Sequence, residues 1–225
     1  MIGPRLQMVA ALVPPGSIAA DIGSDHAYLP VYLVHQGVCP RVIASDVAAG
    51  PLCNAADTVR RAALQDKIEL RLSDGFSRFA ATDADCWVMT GMGGTLMTRL
   101  LDAAPWPFAV EGTVIVAQAM RRAHELRAWL VMNKFCIENE YSCYDADRAY
   151  SALRAVCNGV VQKYPPGYAH YGELIRCDAP AARDILAREQ RYLHTRVDAL
   201  KKAAPDCEEL TRLEEVLHDF SAQNL

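Results

Sequence analysis

The sequence predicts an α/β fold: a largely parallel sheet with helices on both faces, finished at one edge by an antiparallel hairpin and followed by a helical hairpin. Three observations predict it. Short β-rich runs alternate with helical stretches over the first two-thirds of the chain, and parallel neighbours need such crossover connections. The runs at 135–143 and 149–156 are separated only by residues 144–148, too few for a helical crossover, so they pair antiparallel. From residue 182 onward apolar residues recur at three- and four-residue spacing, the pattern of a seam between helices.

Each element follows in order. The first strand, 17–21 (SIAAD), ends in a turn at Gly23, and a helix is expected over 28–36. The second strand, 41–46 (RVIASD), leads to an alanine-rich helix over 52–64, and 67–72 (KIELRL) is the third strand. The fourth, 85–90 (DCWVMT), enters Gly91-Met92-Gly93-Gly94 and an amphipathic helix over 94–103. Strand 113–118 (TVIVAQ) and helix 124–132 complete the alternation before the hairpin. Pro165-Pro166-Gly167 marks a change of composition, which divides the chain into a Rossmann-like domain at 1–163 and a C-terminal helical hairpin at 164–225. The seam of that hairpin is read as Leu186, Leu193, Val197 and Leu200 against Leu210, Leu213, Leu217 and Phe220, with Asp206 and Glu209 forming a capping box. Residues 173–202 carry seven basic and five acidic side chains, and residues 203–225 one basic and six acidic. That complementarity favours an antiparallel coiled coil within one chain, and a monomer or weak dimer.

Composition narrows the function classes. Of 225 residues, 52% are hydrophobic and 22% charged, enough apolar material for a core and unlike a disordered chain. The apolar run at 8–13 falls far short of the ~20 residues that cross a bilayer, and Pro14-Pro15 cuts it before a signal-peptide pattern develops. No membrane partner and a cytoplasmic location are expected. The net charge of −4 excludes a broad basic coat for nucleic acid. Yet residues 1–165 carry 15 basic and 16 acidic side chains, so most of the excess lies in the tail and a local RNA-binding patch stays open. The eight cysteines show no C-x-x-C or zinc-knuckle spacing, which predicts reduced, mostly buried thiols and no metal.

The chemistry is concentrated at strand ends. Asp21 closes the first strand, where it can receive the ammonium of an aminoacyl group, and Gly23 supplies a tight turn that lets backbone N–H groups meet a ligand. Asp46 closes the second strand 25 residues later, where a carboxylate can accept both ribose hydroxyls of an adenosine. Asp74-Gly75 follows the third strand and can take the adenine amino group. Gly91 and Met92 follow the fourth, at the floor of the same crevice. Three carboxylates at three successive strand ends, with no glycine-rich loop left to seat a pyrophosphate, favour S-adenosylmethionine over a dinucleotide. The antiparallel edge hairpin agrees, since class I methyltransferases have it and nicotinamide-binding Rossmann domains usually stay parallel.

Arg5-Leu6, DIGSDHAYLP (21–30), ASDVAAGPL (44–52), LSDGF (72–76), TGMGG (90–94) and LRAWL (126–130) together resemble the bacterial TrmK family. The resemblance spans nearly the whole chain, including a C-terminal coiled coil. It implies an S-adenosylmethionine-dependent tRNA (adenine-N1)-methyltransferase acting on adenine 22 of the D-loop. One departure stands out. Where the family usually reads Gln-Pro-Asn after the fifth strand, this chain has Gln118-Ala119-Met120, and 147–155 (DRAYSALRA) also differs. A different RNA target, a small-molecule substrate, or a cofactor-binding interaction protein without turnover are the alternatives.

Adenine N1 carries an in-plane lone pair and loses no proton before attack, so neither a cysteine nucleophile nor an Asn/Asp-Pro-Pro-aromatic motif is required; none of the eight cysteines sits in a Pro-Cys motif, and the Asn/Asp-Pro-Pro-aromatic motif is absent. The site must instead align the nucleophile and the methyl group and stabilise the charge that develops. Asp25 and His26 are the candidates for polar contact at the transfer site; Asp25 alternatively caps the next helix and His26 is alternatively structural. Tyr28 stacks on base or cofactor, or packs. Arg121 and Arg122, with Arg5 and Arg127, are the candidate phosphate contacts on the catalytic rim. Arg183, Arg188, Arg191 and Arg196 form a second candidate footprint on the helical hairpin, or a solvated face.

Overall fold

The computed structural model describes residues 2–106, 108 and 110–223. Its sheet has seven strands in the order β3-β2-β1-β4-β5-β7-β6. The central strands are Ala19–Ile22 (β1), Val42–Asp46 (β2), Cys86–Met92 (β4) and Val114–Ala119 (β5), with Ile68–Leu72 (β3) at one edge. They pair parallel. All four residues of β1 and four of five in β2 are buried, because helices cover both faces and leave no reason for polar alternation. Phe135–Asp145 (β6) and Arg148–Cys157 (β7) form the expected hairpin, and β7 inserts antiparallel between β5 and β6. The winding reverses between β1 and β4, and the carboxyl ends of the strands at such a switch point open a crevice for ligands.

The flanking helices are Tyr28–His35 (α2), Ala49–Arg61 (α3), Gly94–Asp102 (α4) and Ala123–Met132 (α5). A further helix, Pro4–Leu12 (α1), has no counterpart in the sequence expectations. Residues 8–13, which make up its second half and C-cap, are one continuous apolar run, so no polar–apolar period announces a helix. Pro4 suits the first helical position, where its missing N–H is needed by no partner, and Met8, Val9, Ala10 and Leu12 are buried.

After β7 the chain forms a short helix, Tyr168–Tyr171 (α6), a 3-10 turn at Gly172–Arg176, and two long helices, Pro180–Ala203 (α7) and Glu208–Ala222 (α8). The long helices run antiparallel, joined by Arg196–Glu209 at 2.8 Å and Lys201–Glu214 at 2.9 Å. Leu186, Leu193 and Val197 are buried with Leu210, Leu213, Val216 and Phe220. The seam in α8 thus uses Val216 rather than the half-buried Leu217. The capping box does not form: Cys207, one residue beyond Asp206, takes the N-cap position and no side chain caps the helix. Side chains from the sheet, from α5 and α6 and from both long helices belong to one continuous apolar core.

Arg127 of α5 is a correction to the predicted phosphate contacts. Its side chain is 2% exposed and lies 2.6 Å from the equally buried Glu140 of β6, and its guanidinium donates to the carbonyls of Ala169 and His170 at 3.0 and 3.2 Å. It faces inward and ties α6 to α5, beyond the reach of an RNA backbone. Among the described residues, no helix is long and apolar enough to cross a membrane.

Candidate active site

The ends of β1, β2, β3 and β4 enclose a cavity of about 500 Å³ at the switch point, within the ~300–1,000 Å³ of small-ligand sites. Asp21 forms a buried polar wall of it. The residue is 2% exposed; Oδ2 accepts a hydrogen bond from Ser24 Oγ at 2.7 Å, while Oδ1 is buried without a partner. Burial pushes its pKa up from 3.8 to about 6, Ser24 draws it partly back, and the Asp46 carboxylate adds to the rise. A buried carboxylate with an orphaned oxygen is a site for a cationic donor.

The loop after β1 is tightly wound. Gly23, Asp25 and Ala27 have φ of +76°, +52° and +55°, the left-handed region that L-residues seldom occupy, and such strain gathers at functional sites. Two of its N–H groups are already engaged. Gly23 and Ser24 both donate to Ser45 O, at 2.9 and 2.7 Å, because the loop folds back onto the end of β2. The Asp25 N–H faces Asp46 Oδ2 at 3.4 Å, and Ala48 N donates to Asp46 Oδ1 at 2.9 Å.

Glycines set the floor. The register of β4 against β5 shifts between Thr90 and Met92, where Gly91 (φ +75°) makes a bulge of the kind that re-aims side chains beside active sites. Met92 thereby turns over Gly23: a Cβ at position 23 would lie 2.6 Å from the Met92 methyl.

All seven predicted cofactor residues, Asp21, Gly23, Asp46, Asp74, Gly75, Gly91 and Met92, line this one cavity, as do Asp25, His26, Tyr28 and Arg5. His26 and Tyr28 stack at 5.3 Å between ring centroids, and His26 Nε2 lies 3.5 Å from Asp25 Oδ2. Asp25 does not cap α2, whose N-cap is Ala27 without a side-chain bond. Arg5 reaches across from α1, donating from Nη1 to Gln118 Oε1 at 2.8 Å, with Gly91 N donating to the same oxygen at 3.3 Å. Gln118 is fully buried; sequence reading noticed it only as the start of a departing motif, and missed that it braces two walls. Ser24 was also missed, although a hydroxyl three residues after a strand-end aspartate is a local signal for such a bond.

Arg121 and Arg122 are not brought to this cavity. They line a second one, of about 470 Å³, beyond the end of β5, and Met120 N donates to Met92 O at 2.7 Å in the partition between the two. Arg122 is paired with Glu125 at 2.6 Å. On the hairpin, Arg183 pairs with Asp178 and Arg196 with Glu209, whereas Arg188 faces the second cavity and Arg191 is exposed.

Residues 2–153 match the family model described as a methyltransferase domain. The tRNA (adenine(22)-N(1))-methyltransferase of Bacillus subtilis (strain 168) is 32% identical over 151 residues, 67% of this chain and 63% of that relative's length. A Streptococcus pneumoniae protein described as a candidate tRNA (m1A22) methyltransferase superposes with a TM-score of 0.82 at 30% identity, covering 99% of both chains, and its S-adenosyl-L-methionine complex superposes at 0.78. The Bacillus subtilis m1A22 tRNA methyltransferase TrmK gives 0.81 at 25% identity, covering 99% of this chain and 97% of that one. The chain belongs to the TrmK family of methyltransferases. In TrmK terms the shared part includes the long helices, since the structural matches extend over 99% of this chain, beyond the residues of the methyltransferase-domain model.

Proposed function

We propose that this chain transfers a methyl group from S-adenosylmethionine to N1 of adenine 22 in the D-loop of tRNA. The observation that carries the cofactor half is the convergence of Asp21, Asp46 and Asp74 on one cavity, with an unpartnered buried oxygen on Asp21. The residues fit the group. Asp21 would hold the ammonium, Asp46 the ribose hydroxyls and Asp74 the adenine amino group, with Met92 and Gly23 shaping the floor. When bound, S-adenosylmethionine supplies an electrophilic sulfonium methyl. The RNA half is supported by the likeness to adenine-22 methyltransferases.

Asp25, His26 and Tyr28 stand at the mouth of the cavity, where a polar edge and a stacking surface can hold an extruded base in line. No group has to remove a proton from N1. Exclusion of water and a fixed carboxylate near the developing positive charge are what the chain contributes. Arg121 and Arg188, on the wall of the second cavity, are our candidates for phosphate contact. We assign the methyl-transfer chemistry to residues 1–163 and substrate positioning to 164–225. The hairpin seam is filled within one chain, which supports a monomer, and the tRNA substrate supports a cytoplasmic location.

The test is incubation with labelled S-adenosylmethionine and unmodified tRNA, followed by mapping of the methyl group. Label on N1 of adenine 22 is expected. Cofactor binding without transfer to any RNA, or transfer only to another nucleotide, refutes the proposal.

A further inference from the structure

Where the rim of the sheet meets the root of the helical hairpin, three side chains from three elements turn toward one point. His124 comes from the start of α5, His170 from α6 and Glu189 from the middle of α7. His170 Nδ1 lies 2.8 Å and His124 Nδ1 3.1 Å from the same oxygen, Glu189 Oε1. The two imidazoles stack with centroids 4.6 Å apart and planes 18° apart, so both present their Nδ1 edges to one side. Hydrogen bonding accounts for only part of this arrangement. His170 and Glu189 share a hydrogen bond, but His124 Nδ1 is buried and has none; its direction misses the oxygen although its distance does not. An unsatisfied buried polar atom is costly, and a cation at the point of convergence would engage all three donors.

We infer that His124, His170 and Glu189 form a binding site for a divalent transition metal, with Zn²⁺ the ion that the donor set fits. Two imidazoles and one carboxylate with a fourth position open is a zinc donor set, whereas Ca²⁺ and Mg²⁺ require mainly oxygen. Ligands at ~2.0–2.2 Å from a tetrahedral zinc stand ~3.2–3.6 Å apart; the two nitrogen–oxygen separations need open by only a few tenths of an ångström, and all three donor atoms lie within 4.8 Å of one another. The side chains are 19%, 12% and 25% exposed, sheltered yet reachable from the second cavity. Arg122 and Arg127 on that cavity wall are neutralised by Glu125 and Glu140. Arg121, Arg148 and Arg188 also line it, and their charge favours an anionic fourth ligand such as hydroxide or a phosphate oxygen. None of the three metal ligands lines the cavity of Asp21, so the inference stands apart from the proposed methyl transfer. Cysteine spacing pointed to no metal because it tests only local motifs, and these ligands are scattered over residues 124–189.

The experiment uses the full chain, stripped with chelator, kept reduced, and titrated with ZnCl₂ by calorimetry. One ion per chain and a raised melting temperature are expected, with affinity lowered about 100-fold or more in the His124→Asn/His170→Asn double variant, since losing a ligand costs at least what losing its supporting partner does. Co²⁺ should give a tetrahedral or five-coordinate visible spectrum without an intense thiolate band, which separates this site from Cys53 and the other thiols. On the unaltered protein, Zn²⁺ should protect His124 and His170 from diethyl pyrocarbonate while the exposed His194 and His218 stay reactive. That footprint decides the matter even if the double variant does not fold. No saturable binding, a thiolate spectrum, or equal modification of His124 and His170 with and without zinc would each overturn the inference.

Discussion

Acidification should weaken S-adenosylmethionine binding through a single group, the carboxyl of Asp21. Burial holds its pKa near 6 rather than 3.8. At a pH near 5 only about one-tenth of the groups remain ionised, so affinity for an ammonium-bearing ligand falls about 10-fold relative to neutral pH. The ligand's ammonium stays protonated over this range and adds no slope of its own. Stability of the ligand-free protein should move the other way. Between 3.8 and about 6 the folded state binds more protons at this site than the unfolded chain, so the slope of unfolding free energy against pH is negative there. The penalty at neutral pH is of order 3 kcal/mol; it is relieved as pH falls through about 6 and is gone below the unfolded value. Calorimetric titration with S-adenosylmethionine at several pH values measures the first effect and thermal melts of the ligand-free protein the second. Asp21→Asn should lose affinity and flatten both profiles. Affinity unchanged on acidification, or the same pH slope persisting in Asp21→Asn, would refute the assignment of Asp21 to the ammonium.

Three further outcomes are expected. Asp46→Ala should lower cofactor affinity about 10- to 100-fold, the value of one charge-assisted hydrogen bond, while the far-ultraviolet circular dichroism stays native; unchanged affinity by calorimetry removes it from the ribose. Glu140→Ala leaves the Arg127 guanidinium buried and unpaired, a loss of about 3–5 kcal/mol. At about 2–4 °C per kcal/mol for a chain of this size, that is a melting temperature lower by about 6–20 °C. Gly94→Ala would set a Cβ 2.1 Å from the carbonyl oxygen of Arg122, so the backbone leading into α5 must shift; a cost of about 1–3 kcal/mol with reduced RNA methylation is expected, and a melting temperature equal to the parent's would show that the segment yields freely.

The sheet was legible because its strands are short, apolar and separated by helical stretches, and because the five residues between the runs read at 135–143 and 149–156 cannot hold a crossover. The cofactor cavity was legible for a related reason: topology places the residue ending each parallel strand at one rim, so Asp21, Asp46 and Asp74 could be grouped from their positions alone. What stayed hidden was whatever depends on contacts between distant segments. Position alone could not distinguish Arg127, which faces inward to Glu140, from Arg121, which is exposed. Nor could it show that the N–H groups of Gly23 and Ser24 are already engaged by Ser45, since the fold-back of that loop is tertiary. The second cavity collects side chains from α5, β7, α6 and α7, and no local pattern joins His124 to His170 and Glu189.

The uninterrupted core from Trp87 through Leu126 and Tyr171 to Leu193 and Phe220 bears on how the molecule comes apart. A hairpin tethered by a linker would melt separately and swing about its hinge. Here the root of the arm shares its apolar contacts with the sheet, so loosening one end weakens the other, and heating should produce one cooperative transition rather than two. Cutting the chain ahead of α6 would then leave an opened protein instead of a smaller one, because α5 would lose the cover that α6 provides and the hairpin strands that of α7.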